Sequence, residues 1–173
     1  MKKTISLLLA LSVCVAGISL AAQGVTSNEK TFMQKAAQSD ETEISLAKLA
    51  LKQSTNAQIK QFAQMMITDH TKSTSLLKPI AAQDGVALPT SMGTANEAKY
   101  KALEKTSGEA FDKGYIDTMV SAHQSLLQDV QAEAGKAQDP KLKQFIATVE
   151  PIVSHHLQMA KQLQQGLKMG KAS

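Results

Sequence analysis

The residues best suited to chemistry in this chain are its four histidines, His70, His123, His155 and His156. Imidazole titrates near neutral pH and binds transition metals through a ring nitrogen. His70, His123 and His156 each fall on the apolar stripe of a helix-like segment, and His155 falls off it and is expected to face outward. Two acids, Asp40 and Glu43, sit on the apolar stripe of a further segment. One carboxylate and three imidazoles make a four-donor set without a thiolate, suited to Zn, Fe, Mn or Cu. With one coordination position open such a site is reactive; closed, it is structural.

Four segments carry these residues, each with apolar positions three and four apart. Segment A, about Ser27 to Gln53, opens on Thr26 with Glu29 three residues on, a capping box. Its stripe is Met33, Ala36, Asp40, Glu43, Ala47 and Ala50. Segment B follows the N-cap Asn56 with Ile59, Phe62, Met66, His70, Ser73, Leu77 and Ile80, and stops at Asp84-Gly85. Pro79 is expected to kink its last turns. Segment C begins near Thr106, where Glu109 completes a second expected capping box, and carries Asp112, Ile116, Met119, His123, Leu126, Val130 and Glu133. Segment D starts with Asp139 as cap and Pro140 at the first helical position, and carries Leu142, Phe145, Val149, Val153, His156, Ala160, Leu163 and Leu167. Pro151 interrupts its backbone bonding, and the Lys-rich tail after Gln165 is expected to fray.

Short breaks join A to B and C to D, so each pair is antiparallel. The B–C connection is long, with a loop at Leu88–Gly93 and a short helix over Thr94–Lys105 that turns Tyr100 and Leu103 inward. It lets B and C run parallel. The fold class is therefore all-α: a four-helix, ferritin-like bundle with a long B–C crossover containing a short helix. Alternating strand patterns are absent.

Helical rise then sets the heights. His70 lies 13 residues after a start at Ala57, and His123 lies 14 after Glu109. The C–D break near Asp139 puts His123 opposite position 155, one residue from His156, and the A–B break near Ser54 puts His70 opposite the neighbourhood of Asp40. Three imidazoles from three helices are thus expected at one level, with Glu43, or Asp40 as the alternative, as the carboxylate ligand. Asp69, Asp112 and Tyr115 are the nearest candidates to orient the second ring nitrogens. The alternative is a polar core network that binds nothing, with histidine–acid pairs at separate heights. The methionines Met65, Met66, Met119 and Met159 near the histidines are read as core filler.

Composition narrows the function. Lys2 and Lys3, the apolar run from Ile5 to Leu20 and the small residues ending at Ala21 read as a secretory signal, residues 1–21, leaving one domain over 22–173 with its core at about 27–167. Removing the signal leaves 17 lysines against 15 acids, so the formal charge falls from +4 to +2. Cys14, the only cysteine, lies inside it, so the mature chain forms no disulfide and no thiolate site. The expected location is periplasmic or secreted; a lipid anchor at Cys14 is disfavoured because Val13 is too large for a lipobox. No later stretch is apolar enough to span a bilayer. The basic residues are all Lys, aromatics are 3% and Trp is absent, which excludes a nucleic-acid binder. There is no phosphate loop, no H-E-x-x-H and no defensible catalytic triad, so no catalytic residue is assigned.

Phe32, Ala36-Ala37, Glu43, Leu46-Ala47, Phe62-Ala63, Met66-x-x-Asp69-His70, Gly85 and Leu88-Pro89 form one recurring pattern. Phe111-Asp112-x-x-Tyr115, His123, Pro151 and His156-Leu157 continue it. This pattern resembles an exported bacterial ferritin-like family known only as a domain of unknown function, four-one-four-two in that series. The resemblance covers about Thr31 to Leu163. It implies a ferritin-like fold, an envelope location and family-typical polar positions at Glu43, Asp69, His70, Asp112, Tyr115, His123 and His156, and it supplies no activity. Ferritin-like di-iron proteins use Glu-x-x-His on two helices. Here Ile67 and Val153 stand three residues before His70 and His156, so that site is absent. Two readings remain: an envelope protein holding a metal through inward histidines and a carboxylate, or a non-catalytic structural or stress-related protein acting through an envelope protein partner.

Overall fold

A computed structural model describes residues 24–169. The expected signal segment with Cys14 and residues 170–173 lie outside the described residues. There are five helices: α1 (Ser27–Gln53), α2 (Ala57–Gln83), α3 (Gly93–Glu104), α4 (Gly108–Ala134) and α5 (Pro140–Met169). No strand occurs among the described residues.

Cross-helix contacts give the direction of every pair. Between α1 and α2, Asp40 meets His70 and Gln34 meets the Ala87 carbonyl just past α2. Between α1 and α4, Lys35 reaches Asp129 and Glu43 reaches His123. Between α2 and α5, Asp69 pairs with His156 and Gln83 accepts from Lys141. Between α4 and α5, Asp117 accepts from Gln164 and Glu150 from Gln131. In each pair one number rises as the other falls, so all four neighbours are antiparallel. The diagonal partners α2 and α4 therefore run parallel, as the long crossover requires.

That crossover lies along α1. Asn96 of α3 donates to Thr42 Oγ1 at 3.2 Å, and Gln53 donates to the Glu104 carbonyl at 3.0 Å. Gly85 ends α2 with φ at +64°. The Val86 amide then donates to the Ala81 carbonyl at 2.8 Å and the Gly85 amide to that of Ala82, a Schellman closure. Gly93, at φ +75°, starts α3 so close to α1 that a Cβ would lie 2.5 Å from Gln38 Nε2.

Capping follows expectation at three of the four long helices. Thr26 and Glu29 form the reciprocal box on α1, Asn56 caps α2 through the Gln58 and Ile59 amides, and Asp139 caps α5 through the Leu142 amide. At α4 it does not: the N-cap is Ser107, without a side-chain bond. Thr106 is spent on α3, its hydroxyl donating to the Leu103 carbonyl at 2.7 Å. Of the tail expected to fray after Gln165, residues 170–173 lie outside the described residues. α5 continues to Met169 because Leu163 and Leu167 pack on the core. Both α2 and α5 continue as helix through their prolines. Pro79 and Pro151 are exposed, as are Ser75 and Ala147, whose carbonyls lose the partner, so water can replace the missing bonds.

The core divides into two apolar clusters. One holds Phe32, Met33, Leu77, Val130, Leu142 and Phe145; the other holds Leu46, Phe62, Met66, Tyr115, Met119 and Ala160. Between them every long helix places a buried polar side chain: Asp40 and Glu43, His70, His123, and His156, the last flanked by Val153 and Leu157. A buried polar layer therefore crosses the middle of the bundle.

Glu29 does more than cap α1. Its Oε1 accepts from the backbone amides of Gln138 and Asp139 at 2.7 and 2.8 Å, tying the start of α1 to the α4–α5 turn. Burial opposes its charge, but the amides of Asp139, Thr26 and Gln138 outweigh that and hold the carboxyl at about 2. Its folded value is depressed, so its contribution is present above about 4.5 and is lost as pH falls toward 2. Glu29→Ala should cost roughly 2–3 kcal/mol at pH 7, because buried amides lose a charged acceptor. In urea titrations, the gap from wild type should close as pH drops from 4.5 toward 2.

Candidate metal centre

The three inward histidines meet at one level. Ring centroids are 5.7 Å apart for His70–His123, 5.5 Å for His70–His156 and 5.4 Å for His123–His156. All three are buried, whereas His155 is exposed. One ring nitrogen from each lies within 4.8 Å of the others.

Each ring has its other nitrogen bound from outside. His70 Nδ1 donates to Asp40 Oδ1 at 2.8 Å, and Asp40 Oδ2 accepts from Thr74 Oγ1 at 2.9 Å. His123 Nδ1 lies 2.9 Å from the Met119 carbonyl, which can only accept, so this nitrogen carries the proton. His156 Nε2 donates to Asp69 Oδ2 at 2.9 Å. The nitrogens without a protein partner are His70 Nε2, His123 Nε2 and His156 Nδ1. A neutral imidazole that donates through one nitrogen presents a lone pair on the other, the arrangement metal-binding histidines use.

The acids take positions the sequence left open. Asp40 has both oxygens engaged by His70 and Thr74. Glu43 is fully buried, with Oε1 3.8 Å from His123 Nδ1 and Oε2 unpartnered. Asp69 orients a ring, but that of His156 on the facing helix rather than its neighbour His70. Asp112 and Tyr115, the other expected orienting groups, hydrogen-bond to none of the rings; the Tyr115 hydroxyl and Asp112 Oδ1 have no partner. They lie 11 and 8 residues before His123, which at 1.5 Å per residue is about 16 and 12 Å along α4. Thr74 and the Met119 carbonyl were not singled out in the sequence. Each lies four residues from a histidine on its own helix, and that spacing is the signal for both.

Charge in this layer is set by burial first. Desolvation, aided by His70 and His156, pushes His123 down to about 3, so it stays neutral. Burial also lowers His156, against the pull of Asp69. For His70 burial works the same way but is outweighed by Asp40, Glu43 and Asp69, and the ring is shifted up. Burial lifts Glu43 to about 7 in spite of His70, and lifts Tyr115 well above the usual phenol range.

The family described as "Domain of unknown function (DUF4142)" matches residues 17–163. The chain belongs to this family. No curated protein matches it at a significant level. Among solved structures, a DUF305 fragment from Deinococcus radiodurans superposes with a TM-score of 0.73 at 16% identity, covering 83% of this chain and 99% of that one. CopM in its Cu(I)-bound form superposes with a TM-score of 0.67, and in its Cu(II)-bound form with 0.68. Both are 18% identical, covering 79% of this chain and 95% of the other. At these identities the likeness is one of fold. No helix among the described residues is long and apolar enough to cross a membrane.

Glu43 gives a pH test of this layer in metal-free protein. Its folded value is raised, so its ionised form costs stability as pH rises from 4.5 through 7. Glu43→Gln should be more stable than wild type by on the order of 3 kcal/mol at pH 8.5, and equal to it below pH 4.5. Urea midpoints across that range measure the difference, and a difference that stays flat with pH contradicts the assignment.

Proposed function

We propose that this protein binds one transition-metal ion in its bundle core, with His70, His123 and His156 as ligands and copper as the best-suited ion. The observation that carries the reading is the set of three buried, unpartnered ring nitrogens from three helices. Leaving such atoms unsatisfied costs about 1–3 kcal/mol each. An ion at ~2.0–2.1 Å from each nitrogen requires the rings to move inward by less than ~1 Å.

The three ring nitrogens supply most of the donors and the only free oxygen in the buried layer is Glu43 Oε2, a set that suits a nitrogen-preferring ion over a hard one. Asp40 and Asp69 serve as outer partners that fix ring orientation. Glu43 stays beside His123 as a counter-charge rather than the carboxylate ligand expected from its spacing. The solved neighbour CopM, described in Cu(I)- and Cu(II)-bound forms, favours copper over Zn, Fe or Mn. A three-imidazole copper ion supplies a one-electron couple, and this chain's part is to hold the rings and exclude bulk water. The leader at 1–21 and the cysteine-free remainder support a periplasmic site of action.

Untagged protein spanning 22–173, incubated separately with copper, zinc, iron and manganese and then desalted, should retain close to one equivalent of copper by elemental mass spectrometry. His123→Ala should retain almost none. Copper at a hundredfold its Kd should stabilise wild type by about 2.7 kcal/mol. Retention of no metal overturns the reading and leaves a polar core that sets packing register in a protein acting through envelope partners.

A further inference from the structure

Among the clefts that the described residues form, three differ in what they reach. The largest, about 780 Å³, lies at the Asp112 end and touches no histidine. A second, about 590 Å³, runs between α1 and α4 beneath α3; Glu43 lines it but none of the three rings does. The third is narrow, about 30 Å³, room for one or two waters; α2 and α5 supply most of its lining, with Asp40 of α1 and Val130 of α4 also lining it. His70 and His156 both line it, with Asp69, Leu76, Val149 and Ile152 along its length.

The acids on the rings differ in the same way. The Asp40–His70 pair is closed, with both side chains 4% exposed. In the Asp69–His156 pair the histidine is 1% exposed and the aspartate 30%. Only Asp69 Oδ2 is bound to His156, which leaves Oδ1 for a second partner. Asp69 is thus the one acid on a histidine ring that also meets solvent, and it does so in the cleft that leads to two of the rings.

We infer that ions enter and leave the three-histidine centre through the α2–α5 seam, with Asp69 as the acidic residue that receives them there. This inference rests on the metal site proposed above. An exposed carboxylate at a cleft mouth raises the local cation concentration and the rate of encounter. The lining is mostly apolar and only waters wide, with Lys72 and Ser73 on α2 and Asp40 on α1 among its other polar groups, so an ion must exchange most of its water for Asp69 and then imidazole. That route favours readily exchanging, nitrogen-preferring ions such as copper over Mg²⁺, which sheds water reluctantly.

The test is stopped-flow uptake of Cu²⁺ and its release to a chelator. Asp69→Asn keeps an oxygen for His156 Nε2 but loses the charge. It should slow uptake roughly 5–10-fold at low salt and remove most of the salt dependence of the on-rate. Leu76→Ala, at an exposed residue, should speed uptake and release together and leave Kd within about twofold. Ser125→Trp, in the α1–α4 groove, should change neither rate. If wild type binds copper but Asp69→Asn and Leu76→Ala keep wild-type rates, or Ser125→Trp slows both rates, the seam is the wrong route and the site stands. If wild type binds no metal, both proposals fall.

Discussion

The cost of burying a polar layer in the middle of an apolar bundle constrains everything else here. Two carboxylates and three imidazoles lie between two clusters of Phe, Leu, Met and Ala, where water cannot solvate them. Such groups must be paired or remain expensive. The structure pairs the outer side of each ring, with Asp40, with the Met119 carbonyl and with Asp69. It leaves the inner side of each ring unpaired. The asymmetry holds for all three rings. A network built only for stability would turn the rings to bond one another or carry Glu43 into contact. Instead Glu43 stays 3.8 Å from a nitrogen that already bonds the helix backbone.

This layer explains why the helices need their ends fixed. Three rings converge only if α2, α4 and α5 keep their relative heights, and one residue of slippage moves a ring about 1.5 Å along its axis. The heights are set at the turns. Asn56 and Ser54 fix the α1–α2 joint, and the Schellman closure at Gly85 fixes the exit from α2. Glu29 binds the α1 start to the α4–α5 turn through two amides. Glu29 lies near one end of the bundle, yet it holds α1 in register with α4 and α5 and so bears on the geometry at the centre.

Much of this was legible in the sequence because an α-helix converts residue counts into distances. The stripes through Asp40, His70, His123 and His156 follow from the 3.6-residue period, and counting from the breaks at Ser54 and Asp139 brings them to one height. What counting cannot supply is side-chain orientation. Counting put Asp40 opposite His70, but it gives no way to know that Asp69 reaches across to His156 or which oxygen and ring nitrogen meet, because these depend on rotamers and on the distance between helix axes. Asp112 and Tyr115 share a helix with His123 but lie about three and two turns away, and proximity in sequence overstated their reach. Ser107 replaced Thr106 as a cap because Thr106 is shared between the end of α3 and the start of α4, a competition that a local capping rule does not see. The Glu29 clamp joins positions more than a hundred residues apart, beyond any local pattern.

The same scaffold with different residues at two positions would have another chemistry. In di-iron ferritin-like proteins a glutamate three residues before a histidine adds an oxygen ligand on two helices. Here those places hold Ile67, which is half-buried, and Val153, which is buried. Those two glutamate oxygens are therefore missing, and the buried layer offers three histidine rings instead. An ion in such a centre brings its own positive charge into a low-dielectric layer, where it needs compensation. Glu43 is placed to provide it: it is buried, it touches the layer, and burial first, then the Asp40 charge, lift its carboxyl to about 7 against the pull of His70. A cation beside it would favour its ionised form. Without the ion that carboxylate is better protonated, which keeps the metal-free core close to neutral at the pH where the protein must fold.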